Sequence, residues 1–163
     1  MYRYSVPPML RNLRALSAIL AKAEAHCTAR KIEPEALLGF RLFPDMLPLT
    51  RQVQLACDFA ARASARLAGA DMPSFPDTET SFAQLIARIR TATDYIESFD
   101  AGQFEGAESR SITMKQRGGE VTMTGLDYLT GFALPNFYFH TATAYDILRH
   151  NGLEIGKMDY VGS

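Results

Sequence analysis

Four long stretches of this chain carry apolar residues at every third or fourth position, a spacing typical of amphipathic helices. The first covers residues 5–30, where one apolar stripe is formed by Met9, Leu10, Leu13, Leu16, Ile19, Leu20 and Ala23. We expect Ser5 to cap this helix and Pro7 and Pro8 to lie in its first turn. Because such a stripe has to be buried against other elements, the pattern predicts a helical bundle.

The second and third helices follow segments that contain prolines. We expect the second helix to begin within residues 46–49 with Asp45 as its cap, and to end before Gly69. Its apolar face is rich in alanine, which lets helices approach closely and indicates a place near the bundle centre. The third helix is expected to start with Thr78 or Thr80 as its cap.

A different pattern precedes the last helix. Residues 109–114 and 120–124 alternate in the period-two manner of strands, with Gly118 and Gly119 between them as a turn signal. A lone hairpin is marginally stable in water. We therefore expect this hairpin to lie on the bundle or to pair with another chain.

The last helix is marked by a proline at its start and by Asn-Gly at its end, over residues 135–152. A shorter helical pattern over 125–134 leads into it, so Pro135 either starts or kinks the helix. His140 lies among apolar and aromatic residues in this stretch. The tail after Gly152 carries enough apolar residues to pack back onto the body.

Four helices and one hairpin predict an all-α fold, a four-helix bundle with a small β-hairpin insertion before the last helix, in a single domain over residues 1–163. Apolar residues make up 47% of the chain, so a core can form without disulfides or metal. Cys27 and Cys57 show no metal-like spacing, and we interpret both as small core residues.

Composition also argues against several classes of partner. The net charge is −1, whereas nucleic-acid binding depends on clustered Lys and Arg. No apolar run reaches the roughly 18 residues that a membrane-spanning helix needs. The first residues lack the apolar core and cleavage site of a signal peptide. The prediction is a cytoplasmic protein that binds neither nucleic acid nor membrane.

Three segments carry a resemblance to a known family. They are residues 41–53 (RLFPDMLPLTRQV), 65–69 (ARLAG) and 135–152 (PNFYFHTATAYDILRHNG), the last followed by a Gly-Lys pair. Together they resemble an uncharacterised bacterial family of the DinB/YfiT-like superfamily, over essentially the whole chain. The resemblance implies a DinB-like four-helix bundle, often a homodimer, and implies little about activity.

The wider superfamily often holds a divalent metal with three histidines, one from the second helix and two from the last helix four residues apart. Some members use that site for thiol-dependent transferase or isomerase chemistry. In this chain His140 could stand for one ligand, but Asn136 and Ala144 occupy the positions four residues away. The second helix has no histidine. We therefore predict no three-histidine metal site and no cofactor, leaving room for a weakly held divalent ion.

His140 is the candidate catalytic residue, as a base or a ligand, and the alternative is a buried imidazole hydrogen-bonded across the bundle. Asp45 could cap a helix with Arg41 as its ion partner, or both could face His140 across a cleft. The candidate ligand-binding residues are Arg41, Asp45, Gln52, Asn136 and Tyr145.

Three functions remain open from the sequence. The first is binding of a small molecule in an inter-helix cleft near His140, without the three-histidine metal site. The second is a transferase- or hydrolase-type enzyme that depends on His140 or a metal, and an open cleft with His140 at its floor would favour it. The third is a non-catalytic dimeric interaction protein, which a large apolar contact without a cavity would favour.

Overall fold

The computed structural model describes residues 1–116 and 118–162 and is mostly helical. The helices are α1 (Tyr2–Arg30), α2 (Pro34–Leu38), α3 (Leu49–Ala68), α4 (Phe82–Glu97), α5 (Gly125–Tyr128), α6 (Leu134–His150) and α7 (Lys157–Val161). A 3-10 turn (Ala101–Phe104) follows α4, and a π turn (Leu129–Ala133) joins α5 to α6. The strands are β1 (Ser111–Gln116) and β2 (Gly119–Thr124). The predicted helical bundle with a hairpin before the last helix is confirmed.

The bundle places α1 and α3 at opposite corners, each packed against both α4 and α6. Asp58 of α3 pairs with Arg88 of α4 at 2.8 Å, and the carbonyl of Asp71, just past α3, accepts from Tyr95 late in α4. These contacts show that α3 and α4 run in the same direction. Residues 69–81, which we call the crossover, therefore return along the bundle.

Arg88 fastens the crossover to both helices. Its side chain is 2% exposed. One guanidinium nitrogen, Nη1, donates to the Pro76 carbonyl and to Glu79, each at 3.0 Å. The other, Nη2, contacts Asp58 at 2.8 Å and Asp77 at 3.0 Å. Because three of these four partners belong to the crossover, one buried cation holds it against α3 and α4.

The start of α4 differs from the predicted one. The helix is capped by Ser81, whose hydroxyl accepts from the Gln84 amide at 3.2 Å, so the prediction of Thr78 or Thr80 was wrong. A tertiary contact explains why the helix starts later than predicted. Glu79 has to reach Arg88, which keeps its neighbours in the extended crossover rather than in a first helical turn.

The start of α1 also differs. The helix begins at Tyr2, and Ser5 lies inside it as a fully buried residue whose hydroxyl donates to the Met1 carbonyl at 3.2 Å. The predicted cap was therefore wrong, and Pro7 and Pro8 lie within the helix rather than in its first turn. Burial of this segment against the core outweighs the local preference of proline for a helix start.

The hairpin lies on the bundle, as one of the two predicted alternatives stated. Ile112 and Met114 of β1 are buried in the core, and Thr113 between them is exposed. The ladder pairs Gln116 with Gly119, so Gly119 begins β2 and the turn precedes it. The hairpin thus covers one side of the bundle instead of forming a separate unit.

The π turn leads into the proline of the last helix. Pro135 is the second residue of α6 and has no N–H to bond a carbonyl in the preceding turn. The wider π turn accommodates this loss, and the Asn136 side chain donates to the Phe132 carbonyl at 2.8 Å. The chain is therefore helical from α5 through α6 without a break.

The tail packs back onto α1, as predicted. The Asn12 side chain donates to the Tyr160 carbonyl at 3.0 Å, and Lys22 pairs with Asp159 at 2.5 Å. Leu153 and Ile155, which precede α7, are buried in the core. The tail therefore closes the outer side of α1.

We predict that Gly125→Ala will destabilise the protein. A Cβ there would lie 1.9 Å from the Ala107 carbonyl oxygen, so backbone would have to move, and we expect a loss of at least about 2 kcal/mol. Urea denaturation measures it. Gly131→Ala is the matched control, because nothing lies within 4 Å of its added methyl group. It should be neutral or stabilising by up to about 1 kcal/mol. Equal effects of both substitutions would contradict this account.

We predict that Arg88→Met will lower the free energy of unfolding by about 3–5 kcal/mol, because it leaves buried carboxylates without their cation. Arg90→Met is the matched control, since its side chain is 84% exposed on the same helix. The control should change stability by less than about 1 kcal/mol. A small loss in Arg88→Met would show that other contacts hold the crossover.

Candidate functional site

His140 and Gln52 form a direct pair between α6 and α3. The His140 Nδ1 atom lies 2.8 Å from the Gln52 Oε1 atom. The Gln52 amide nitrogen donates to the Leu47 carbonyl at 3.0 Å, so its oxygen is the atom that faces the imidazole. His140 therefore donates through Nδ1–H and carries its lone pair on Nε2.

Aromatic rings enclose the imidazole. The Phe59 ring is stacked on it with a centroid distance of 5.4 Å, and Phe139 meets it edge-on at the same distance. His140 is 8% exposed. Burial lowers its pKa to about 4, with a smaller contribution from the positive charge of Arg51. The imidazole is thus neutral at physiological pH and a weak base.

A cavity of about 320 Å³ is lined by Phe59, the residue that stacks on His140. Five residues of α3 line it: Leu55, Asp58, Phe59, Arg62 and Arg66. The facing wall is formed by Met114 and Lys115 of β1 and by Phe132 of the π turn. The volume is that of a site for a small organic molecule. Phe59 therefore contacts both the cavity and His140, and His140 itself is not among the lining residues.

The charges on the cavity wall are unevenly paired. Asp58 is bound by Arg88 and, at 3.1 Å, by Arg62. Arg66 instead donates to the phenolic oxygen of Tyr128 at 3.0 Å. Burial raises the pKa of Tyr128, with Arg66 opposing the shift, so the phenol is neutral. The charge of Arg66 is thus not cancelled by its hydrogen-bond partner.

Arg41 and Asp45 lie apart from His140. Both are exposed in the segment before α3, and α3 is preceded by Pro48 as its cap residue without a side-chain cap. The prediction that Asp45 caps the helix was wrong, because Asp45 lies in a separate turn, closed by the Met46 N–H donating to the Phe43 carbonyl at 3.0 Å, and the helix starts only after Pro48. Across residues 1–116 and 118–162, no ion pair joins Arg41 to Asp45 and neither hydrogen-bonds His140. Their proposed ligand-binding role stays a prediction.

The other two candidate ligand-binding residues, Asn136 and Tyr145, have partners other than His140. Asn136 is half-buried, and its side chain donates to the Phe132 carbonyl of the π turn. Tyr145 packs against Tyr160 of α7, with ring centroids 5.7 Å apart, on the side of α6 that faces the tail. Of the predicted set, the structure brings only His140 and Gln52 together. The roles of Asn136 and Tyr145 stay predictions.

The residues around His140 do not fit the three-histidine metal site of the superfamily. The group facing its imidazole is the amide of Gln52, a poor metal ligand beside imidazole and carboxylate. Within the described part of the chain, no three His, Cys, Asp or Glu side chains are grouped so as to hold a metal ion. The hydrogen bond to Gln52 occupies the ring nitrogen that faces α3.

Both cysteines lie in the core. Cys27 and Cys57 are free and buried. Burial raises the pKa of the Cys57 thiol to about 12, although Arg88 opposes the shift. A thiol in that state is a poor nucleophile. This agrees with their interpretation as small core residues.

The sequence reasoning missed most residues that line the cavity. Leu55, Phe59, Arg62 and Arg66 recur at spacings of three or four and so share one side of α3. That stripe was the available signal, because two arginines four residues apart repel each other on an ordinary helix face. The facing residues of β1 and the π turn gave no such signal.

The chain belongs to the family described as "Domain of unknown function (DUF1993)", whose model matches residues 1–161. It is also similar to a crystal structure of a DinB family member protein from Shewanella denitrificans, determined at 1.83 Å resolution. The two chains are 41% identical, with a TM-score of 0.94, over 99% of this chain and 92% of the other. The predicted place in the DinB-like superfamily is confirmed.

No curated protein matches the chain. Among the described residues, no helix is long and apolar enough to span a membrane. The family and the similar structure therefore establish the fold and the relationship. They assign no reaction.

We predict that protonation of His140 destabilises the fold. Its pKa is about 4 in the folded chain and near 6.5 when unfolded, so this part of the stability is complete above pH 6.5 and is lost as pH falls toward 4. Between pH 7 and pH 5 we expect a loss of about 2 kcal/mol through this group. Urea melts of the native protein and of His140→Phe measure it.

His140→Phe should show a weaker pH dependence over this interval. His26→Phe is the matched control, since His26 lies on α1 outside the site, and it should keep the native slope. If His140→Phe and the native protein lose stability in parallel between pH 7 and pH 5, the imidazole does not contribute as described.

Proposed function

We propose that this protein binds a small molecule in the cavity between α3, β1 and the π turn, beside His140. The supporting observation is the cavity of about 320 Å³, with aromatic and aliphatic walls and a few charged groups. Small-molecule sites generally combine an apolar lining with a small number of polar groups. The proposal includes no role for a three-histidine metal site.

His140 has a positioning role in this proposal. Its imidazole stacks on Phe59 and is fixed by Gln52, so the pair sets the orientation of one cavity wall. A general base works best with a pKa near the operating pH. The pKa of about 4 makes His140 a weak base, which favours binding over the alternative of a His-dependent transferase or hydrolase.

The predicted homodimer and the cytoplasmic location stay proposals. Large apolar side chains are available for a contact between two chains, since Phe43 is 62% exposed and Phe139 is 55% exposed. Light scattering would measure the oligomeric state. A monomer at high protein concentration would contradict the dimer.

We predict that Leu55→Trp will abolish small-molecule binding, because the larger ring would fill the cavity from α3. The experiment screens small aromatic fragments by protein-observed NMR. In the native protein, binders should shift amide signals of residues 55–66 and 112–115. In Leu55→Trp these shifts should disappear while circular dichroism shows an unchanged helix content.

Leu126→Trp is the matched control. Leu126 is 48% exposed on α5 and does not line the cavity, so this variant should bind fragments like the native protein. Fragment binding that survives in Leu55→Trp, or shifts that cluster away from α3 and β1, would overturn the proposed function.

A further inference from the structure

We infer that the ligand of this cavity is a small organic anion with an apolar body, and that Arg66 is the residue that recognises its acidic group. The inference rests on the proposed function and adds the chemical class of the ligand. Three observations support it: Arg66 has no ion-pair partner among the described residues, Asp58 is already paired with two arginines, and the rest of the cavity wall is largely apolar.

Arg66 is a positively charged residue of the cavity wall that has no ion-pair partner among the described residues. It is half-buried in the cavity wall, and its guanidinium lies over the Tyr128 ring with Cζ at 5.5 Å from the centroid. One nitrogen donates to the Tyr128 hydroxyl, which is neutral. In the part of the chain that the structure describes, no carboxylate lies within ion-pair distance of Arg66. A guanidinium has further N–H groups that suit a planar carboxylate or a phosphate.

The carboxylate in the wall does not compensate for Arg66. Asp58 lies two helical turns earlier on α3 and already binds Arg88 at 2.8 Å and Arg62 at 3.1 Å. Lys115 adds a positive charge at the β1 wall. Three cations and one carboxylate line the cavity, and that carboxylate is shared with the buried Arg88. The cavity therefore favours a negative ligand group.

The remaining surface selects an apolar body. Phe59 and Phe132 face the cavity with ring centroids 5.8 Å apart, and Leu55 and Met114 complete the apolar wall. The Phe59 ring also stacks on His140, which helps to fix its orientation. Stacked and tilted rings of this kind favour an aromatic or flat aliphatic group. A ligand with one acidic end and one flat apolar end would satisfy both surfaces.

Two probes of matched shape test the charge requirement. These are para-trifluoromethylbenzoate and para-trifluoromethylbenzamide, which differ in carrying a carboxylate or a neutral amide. Fluorine NMR measures their dissociation constants. In the native protein we expect the benzoate to bind at least about fivefold more tightly than the benzamide, because a charge-assisted bidentate contact is stronger than a neutral one. Added salt should weaken the benzoate alone.

Arg66→Gln should lower benzoate affinity to that of the benzamide and leave benzamide affinity unchanged. Arg66→Lys should restore part of the benzoate preference because it keeps the charge. Arg90→Gln is the matched control: it removes the same charge from an exposed position on α4 and should bind both probes like the native protein.

The outcomes separate the two proposals. Equal affinities of the two probes in the native protein, unchanged in Arg66→Gln, would overturn the anion inference while leaving the cavity as a binding site. Binding of either probe that persists in Leu55→Trp would overturn the proposed function itself. A benzoate preference lost in both Arg66→Gln and Leu55→Trp supports both.

Discussion

The buried guanidinium of Arg88 holds the crossover against α3 and α4, and the arrangement of the bundle follows from that contact. The crossover has to return along the length of the bundle because α3 and α4 are parallel. Burial opposes the ionisation of Glu79, but hydrogen bonds from Gln54 and Arg88 outweigh it and hold the pKa of Glu79 below its ordinary value. Glu79 therefore stays ionised and keeps its ion pair with Arg88.

In this arrangement α3 has two different faces. Its alanine-rich side packs against neighbouring helices, where Ala56, Ala60 and Ala63 are completely buried. The stripe with Phe59 and Arg66 faces the hairpin and the π turn instead. The cavity lies where this stripe of α3 faces the hairpin and the π turn. The network at Arg88 and the cavity meet at Asp58, which contacts both.

Periodicity predicted the long helices and the hairpin because those signals are local. It failed at Ser5, which is buried inside α1, and at Asp45, which lies in a local turn that ends before Pro48 and the start of α3. A hydrogen bond from His140 across the bundle was one of two interpretations of this residue. The family pattern drew attention to His140, and the structure places it against Gln52 of α3. The cavity could not be predicted from periodicity or from the family pattern. Arg66 and Phe132 come from segments far apart in sequence, and no spacing rule places one opposite the other.

The π turn has a consequence for helical phase. Each residue of a regular α-helix advances the side-chain direction by about 100°, so one extra residue would rotate everything after it by that angle, whereas a π turn takes up the extra residue within one wider turn. The turn directs Tyr128 before it and His140 after it toward the same side, next to α3. In a regular helix the twelve steps from Tyr128 to His140 would leave the two side chains about 120° apart, and His140 would not face Gln52. The irregular turn thus works as an angular adjustment that keeps the two halves of the last helix in phase with α3.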